Sequence, residues 1–366
     1  MTITNAQELQ HFLDAGGPDE EGALWSRLDD QLRYFRSERD FKFEVDRMPE
    51  IEEGKKLRET AIFEWERNKL CALIPESMIG VEWILRRAGL MSIALAFAAR
   101  FLPSRHGSVP VCLGDQGWPN TLSMCANAPS ARLIPDHGLI RTLAYLRFRE
   151  TLHSQWTPWH DRRPIIVWRG AANGPIQPPS EVDKSNWDWL PRAKLCETAR
   201  DLRHKYPIDA KLTGLTPNVA ANYSLKIEDF GSLFGDFVKP AAMAEFRYVV
   251  DIDGFSNAWS GLHQKLLTGS TVLKVESPRG YQQWYYDRLE PWTHYVPIKG
   301  DLSDLEDALD FVMSNESEAE EIGFAGRNLA LSLTVDEAIT NLSSAMNDHC
   351  RATSGSLSGQ SVAPCT

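Results

Sequence analysis

YVVDIDGFSNAWSGLHQKLLTGSTVLKVES, residues 248–277, holds two apolar, β-branched runs separated by a polar turn and a short helical segment closed by Gly269. Strand, turn, helix and strand in that order form a crossover unit, and a crossover of this kind joins parallel strands. The first strand ends in Asp251, Asp253, Ser256, Asn257 and Ser260, where apolar residues would otherwise continue. In a doubly wound sheet the crevice beyond the carboxyl ends of the strands is where ligands bind, so this polar turn is the first candidate site.

The same grammar extends outward. PIIVWRGAANGP (164–175) reads as a buried strand running into a glycine-bearing loop, and PRAKLCETARDLRHKY (191–206) as a helix. KPAAMAEFRYVVDIDG (239–254) reads as helix, strand and turn. GDLSDLEDALDFVMSN (300–315) reads as a helix opened by a Ser303–Glu306 capping box, with an apolar stripe of Leu302, Leu305, Leu309 and Val312. Upstream, GVEWILRRAGLMSIALAFAARFL (80–102) predicts one long buried helix, and SVPVCLGD (108–115) a strand ending in a turn. LWSRLDDQLRYFRSERDFKFEVDRM (24–48) spaces its apolar residues in a helical manner. The resulting expectation is a helical N-terminal extension (1–80), two α/β domains (81–160 and 161–330), a C-terminal helix (331–350) and a disordered polar tail (351–366). QWTPWHDRRP (155–164) is the expected domain boundary.

Composition narrows the function. The chain has 366 residues, 43% hydrophobic and 24% charged, and 39 Lys and Arg against 50 Asp and Glu give a net charge of −11. That balance disfavours nonspecific nucleic-acid binding, which needs basic patches to neutralise phosphates. No apolar run is long enough to span a membrane, and the first residues lack the pattern of a signal peptide, so a cytoplasmic protein is expected. Six cysteines with no CxxC pair, and nine histidines with no HExxH, suggest neither a disulfide framework nor a zinc site.

Four polar turns follow apolar runs: GDQGWPN (114–120), WRGAANGP (168–175), DIDGFSNAWSG (251–261) and ESPRGYQQW (276–284). Arg169 and the amides near Gly170 and Gly174 could hold a diphosphate, or Arg169 could simply pair with a nearby carboxylate. Asp251 and Asp253 form a D-x-D pair that could hold Mg²⁺ or Mn²⁺, or could shape a tight turn before Gly254. Asp115 could take a proton from an attacking hydroxyl, or stabilise an Asx turn. Aromatic residues, Trp118, Trp168, Trp284 and Trp292 among them, stand near these turns and suit stacking on sugar rings.

Taken with IDAKLTG (208–214), FRYVVDIDGFSNAWSG (246–261), LLTGSTVLK (266–274) and above all YYDRLEPWTHYVPIKGDLSDL (285–305), residues 164–310 resemble glycosyltransferase family 90. That family includes Rumi-like protein O-glucosyltransferases, capsule-associated xylosyltransferases and lipopolysaccharide-core enzymes. The resemblance implies a GT-B arrangement of two Rossmann-like doubly wound domains facing a central cleft. It also implies an inverting transfer from a nucleotide-diphosphate sugar, UDP-sugar favoured, without metal or other cofactor. The acceptor it implies is a saccharide or lipid-linked saccharide, as in a lipopolysaccharide core or surface polysaccharide, with peripheral membrane contact as a corollary. Asp115 matches the general base. Arg169, Gly170, Arg192, Asp253, Gly254, Ser256, Asn257, Ser260, His263, Lys265 and Glu276 fall on the donor side, and Trp118 and Asp136 on the acceptor side. One departure stands out: many members carry an Arg two residues after the serine of the S-G turn, where this chain has Leu262, leaving His263 or Lys265 as substitutes. The alternatives are a metal-dependent GT-A transferase using Asp251 and Asp253, and a non-catalytic sugar-nucleotide-binding protein.

Overall fold

The computed structural model describes residues 2–15, 42–48, 59–174, 182–184 and 186–354. Contacts divide the chain into two α/β units, Met1–Ala144 with Thr334–Thr366, and Tyr145–Leu333.

The first unit opens with α1 (Ala6–Asp14), capped by the Asn5 side chain, which accepts from the Glu8 amide at 2.9 Å. Three strands follow, β1 (Lys42–Met48), β2 (Thr60–Glu66) and β3 (Lys69–Pro75). Here the helical expectation for residues up to 80 is corrected. Ala61, Phe63 and Trp65 on β2, and Leu70, Ala72 and Ile74 on β3, are buried at every second position, which is the period of a strand with one face on a core. β2 and β3 form a hairpin through Arg67 and Asn68, with Arg67 at φ +54°. Residues 24–41 of the helical reading lie outside the described residues.

The predicted long helix is α2 (Glu82–Ala99), buried almost continuously from Ile84 onward, as its all-round apolar sequence requires. β4 (His106–Cys112), β5 (Leu122–Ser123), β6 (Arg132–Leu133) and the short α3 (His137–Arg141) complete this stretch. The sheet runs β1-β3-β2-β4-β5-β6; β2 is antiparallel to both neighbours, and β4, β5 and β6 are mutually parallel.

The second unit begins at three consecutive left-handed residues, Leu143, Ala144 and Tyr145 (φ +51°, +55° and +61°), rather than in QWTPWHDRRP, which lies inside it. Its elements are α4 (Leu146–Ser154), β7 (Arg163–Ala172), α5 (Pro191–Leu202), β8 (Ile208–Leu215), α6 (Pro217–Tyr223), β9 (Phe246–Asp251), α7 (Ser260–Leu267), β10 (Thr271–Val275), β11 (Val296–Ile298), α8 (Leu305–Ser314) and α9 (Glu316–Ser332). All five strands are parallel in the order β11-β10-β9-β7-β8. The chain steps from β7 out to β8 and then returns to the far side of β7 to lay down β9. The strand order therefore reverses between β7 and β9, and the carboxyl ends of those two strands border the crevice that such a reversal opens. β10 is buried at every residue, which fits a central parallel strand covered on both faces.

Two local expectations are revised. KPAAMAE forms a short 3₁₀ turn, Pro240–Glu245, because Pro240 fixes the first residue and the strand begins within one further turn. The Ser303 capping box does not form. α8 starts at Leu305, after a turn braced by Asp304, which accepts from the Lys299 amide at 2.8 Å, and by Asp301, which accepts from the Ser303 amide at 2.9 Å. The stripe of Leu302, Leu305, Leu309 and Val312 is buried as expected. Finally α10 (Val335–Ser354) returns to the first unit, where Ser343 Oγ donates to the Ala98 carbonyl on α2 at 3.0 Å. It runs past residue 350, where a disordered tail was expected; residues 355–366 lie outside the described residues.

Candidate active site

At the switch between β7 and β9, the loops following the two strands touch through their backbones. Gly174 has φ +87°, and a Cβ placed on it would lie 2.1 Å from the Gly254 carbonyl oxygen, so no side chain fits at this crossing. Arg192, on the first turn of α5, holds the pair from beneath. Its Nε donates to the Asp253 carbonyl at 3.0 Å, Nη1 to the Ala171 carbonyl at 3.3 Å, and Nη2 to the Ile252 carbonyl at 3.3 Å. Burial lowers its pKa, against the pull of Asp251 and Asp253. Arg192, expected to grip the donor, is instead a strut that fixes the floor of the crevice.

Above that floor lies a set of buried polar atoms without hydrogen-bond partners among the described residues: both carboxylate oxygens of Asp253, Ser256 Oγ and Asn257 Nδ2. Asp253 is 5% exposed, and burial pushes its carboxyl above the ordinary value, with Lys274 and the nearby Ser277 only partly offsetting it. Leaving such groups unpaired is costly, so each needs a hydrogen-bond partner from water or from a ligand. Asn257 Oδ1 accepts from the Trp259 amide at 2.7 Å, and the Gly261 amide donates to the Ala258 carbonyl at 2.8 Å, closing a turn that sets Trp259 at φ +49°, ψ −124°. This is a conformation suited to glycine, so the turn stores strain directly before α7. α7 begins at Ser260; apart from the Gly261 amide, already bound to Ala258, its first backbone N–H groups have no intrahelical acceptor and carry the positive end of the helix dipole.

Beneath the turn, Asp251 is 0% exposed. Its Oδ1 accepts from Lys265 Nζ at 2.7 Å, and Lys274 Nζ stands 3.8 Å from Oδ2. Burial alone would raise its carboxyl, but Lys265 and Lys274 together carry it below the ordinary value. Asp251 is therefore the anionic centre of an internal ion cluster. Lys265, expected on the donor, is its nearest partner.

Lys274 was missed as a site residue, although a lysine inside TVLKV is itself a signal, since a buried strand tolerates a charge only for a partner or a ligand. It stacks over Tyr286 at 5.0 Å and lines a cavity of about 550 Å³ at the ends of β10 and β11, with Glu276, Tyr281, Trp292, Tyr295 and Lys299. The cavity falls within the size range of small-ligand pockets. Trp292 and Tyr295 come from the turn EPWTHY, closed by a bond from the Trp292 amide to the Tyr295 carbonyl at 2.8 Å, while His294 Nδ1 accepts from the Glu290 amide at 3.0 Å.

Other expected site residues serve the fold. Arg169 donates from Nε to the Asp236 carbonyl at 3.0 Å, and from Nη1 to the carbonyls of Trp168 and Asp209 at 2.8 and 2.7 Å. Its Nη2 donates to the Asp209 carboxylate. With four N–H groups committed, Arg169 joins the edge strand β8 to β7 rather than presenting its fork to the crevice. Gly170 makes room for the indole of Trp168, 2.7 Å from where its Cβ would be. His263 is buried between α7 and α9, its Nε2 against the Ala330 carbonyl at 3.1 Å and its ring edge-on to Tyr145, and burial lowers its pKa to about 3. Asp136 is the N-cap of α3, accepting from the Gly138 and Leu139 amides at 2.9 and 3.1 Å. Leu262 is a core residue.

In the first unit, Asp115 lies just past the end of β4. Its Oδ1 accepts from Arg87 Nη1 at 3.0 Å, and its side chain is 41% exposed. Trp118 lies on the same turn.

Among the described residues, no group of three or more His, Cys, Asp or Glu could hold a metal ion, and no helix is long and apolar enough to cross a membrane.

Protein O-glucosyltransferase 1 of Rattus norvegicus is 27% identical over 191 residues, covering 49% of this chain and 40% of that protein. Uncharacterized protein 035R of Invertebrate iridescent virus 3 is 30% identical over 164 residues, 44% of this chain and 14% of that protein. The chain thus spans less than half the length of either relative. Among solved structures, Anabaena Alr3699/HepE in complex with UDP-glucose is 14% identical with a TM-score of 0.33, covering 58% of this chain and 53% of that one. The family model for glycosyl transferase family 90 matches residues 146–340, more than half of the chain and nearly all of the second unit. The chain belongs to glycosyl transferase family 90.

Proposed function

We propose that this chain is an inverting glycosyltransferase that moves a sugar from a nucleoside-diphosphate donor to a hydroxyl of a saccharide acceptor. The observation that carries the reading is the unpartnered set at the β7/β9 switch, Asp253, Ser256 and Asn257, set against the first turn of α7. Hydroxyl-rich and anionic groups complement it: carboxylate oxygens accept from sugar or ribose hydroxyls, while Asn257 Nδ2 and the α7 amides donate to phosphate oxygens. The aromatic cavity beside Lys274 takes the nucleoside, with Glu276 at its mouth for the ribose. The glucosyltransferase name of the rat relative favours a glucose donor, and a UDP-sugar follows from the family resemblance.

In the transfer step the acceptor oxygen bonds to the anomeric carbon as the bond to the diphosphate oxygen breaks, and that oxygen leaves with the electron pair. The acceptor proton passes to Asp115, the general base. The leaving diphosphate is stabilised by the α7 amides and by Lys274. Asp251, sealed by Lys265, is better suited to charge balance than to binding a cation, which weighs against the metal-dependent reading. A lipid-linked acceptor and a role in lipopolysaccharide or surface polysaccharide assembly follow from the family resemblance alone.

A thermal-shift screen of UDP-, GDP- and ADP-glucose, with and without EDTA, tests donor binding, because a ligand held by the folded state raises its stability. UDP-glucose is expected to raise the midpoint equally in both conditions; no response to any donor refutes the proposal. Leu262, in place of the family arginine, favours the second reading of a binding protein without turnover. Release of UDP by the native chain, absent in Asp115→Asn, excludes it.

A further inference from the structure

Resting on the reading of Asp115 as base, we infer that Arg87 is the positioning residue that aims it. The link from β4 to Asp115 is only Leu113 and Gly114, and it is fixed on both sides. The Leu113 amide donates to the Glu59 carbonyl at 2.7 Å, and a Cβ on Gly114 would strike the Glu59 carboxylate. From the other side Arg87 Nη1 donates both to the Leu113 carbonyl at 2.7 Å and to Asp115 Oδ1 at 3.0 Å.

One guanidinium thus ties the backbone of the link to the carboxylate it carries. Arg87 is itself held: it projects from α2, its side chain is 16% exposed, and its Cζ lies 4.6 Å from the centre of the Trp83 ring. With Oδ1 occupied, Oδ2 is the oxygen left for the acceptor proton, so the direction of proton transfer is set by Arg87. A loop of this kind without its tether would keep the carboxylate and lose the aim, and misplacement of about 1 Å can cost on the order of a hundredfold in rate.

The test uses the full chain with UDP-glucose and water as acceptor, reading UDP release. Arg87→Ala is expected to lower kcat by roughly ten- to a hundredfold with the donor KM unchanged, and added guanidinium ion to restore part of the loss. Guanidinium should not restore Asp115→Asn. Arg87→Gln, which keeps a donor near the Leu113 carbonyl, serves if the alanine variant does not fold, and is expected to lose kcat in the same way. Full kcat in a folded Arg87 variant, alongside an inactive Asp115→Asn, overturns the role of Arg87 and leaves the base in place. Retained turnover in Asp115→Asn, or no turnover by the native chain, overturns the underlying reading and this inference with it.

Discussion

Lys265→Met isolates the ion cluster beneath the candidate site. Asp251 is fully buried, its close contact is Lys265 at 2.7 Å, and its second cation, Lys274, stands 3.8 Å away, beyond hydrogen-bond reach. Removing one partner of a buried pair leaves an uncompensated charge, at about 3–5 kcal/mol. At about 2–4 °C per kcal/mol for a body of this size, the midpoint should fall by roughly 6–20 °C. Scanning calorimetry across pH supplies the internal check. A carboxylate whose folded pKa is depressed contributes stability above its unfolded pKa, near 3.9, and loses it as pH falls through the lower folded value. Without Lys265 the depression is weakened, so the gap between native and variant should be widest near neutrality and narrow in acid. The double variant Asp251→Leu with Lys265→Met, with no charge left to bury, should recover most of the loss. A single variant within about 1 kcal/mol of native, or a gap that grows in acid, would show that Asp251 is not held by Lys265 and would reopen it as a cation ligand.

Asp253→Asn should raise the melting temperature of the ligand-free chain, since burial opposes its charge, while weakening UDP-glucose binding by roughly ten- to a hundredfold, the worth of hydrogen bonds to a charged acceptor. Paired thermal-shift titrations would reveal both signs. Arg169→Ala should destabilise the chain by about 1–3 kcal/mol in urea unfolding through the acceptors it leaves, with donor KM unchanged; a KM effect would put the side chain back at the donor. His263 is held neutral by burial, with a pKa of about 3 against 6.5. Its unfolded form takes up a proton first, so stability should decline as pH falls from about 6.5 toward 3, by at most about 1.4 kcal/mol per pH unit from this residue. His263→Phe should flatten that slope, which urea unfolding at stepped pH would measure.

The sequence displayed the second unit's strands well because their signals are local: 248–250 and Thr271–Val275 are mainly apolar runs bounded by turns, and Gly269 stops the intervening helix at φ +71°. It displayed the crossing of Gly174 and Gly254 only as loop glycines. What it could not display was the choice of partner. Arg169 and Arg192 look alike as cations near a rim, and only the strand order shows that one reaches back to Asp209 while the other lies under β7 and β9. His263 and Lys265 are two positions apart on one helix, and that spacing turns them to different neighbours, Ala330 and Asp251. Asp136 reads equally as a rim acid or a cap until α3 is seen to start at His137. The strands at 42–75 were masked because a charged, helix-spaced stretch, 24–48, runs through the first of them.

The second unit is inserted into the first: the chain leaves one after Ala144 and rejoins it at Thr334. During synthesis, Tyr145–Leu333 can therefore complete its core while the ribosome still holds α10. The unit carrying Asp115 must wait with α2 uncovered where Ser343 later docks on Ala98. Truncations within α10 should accordingly damage the early-made half of the chain and spare the later-made one, an inversion of the usual order in which nascent domains become vulnerable.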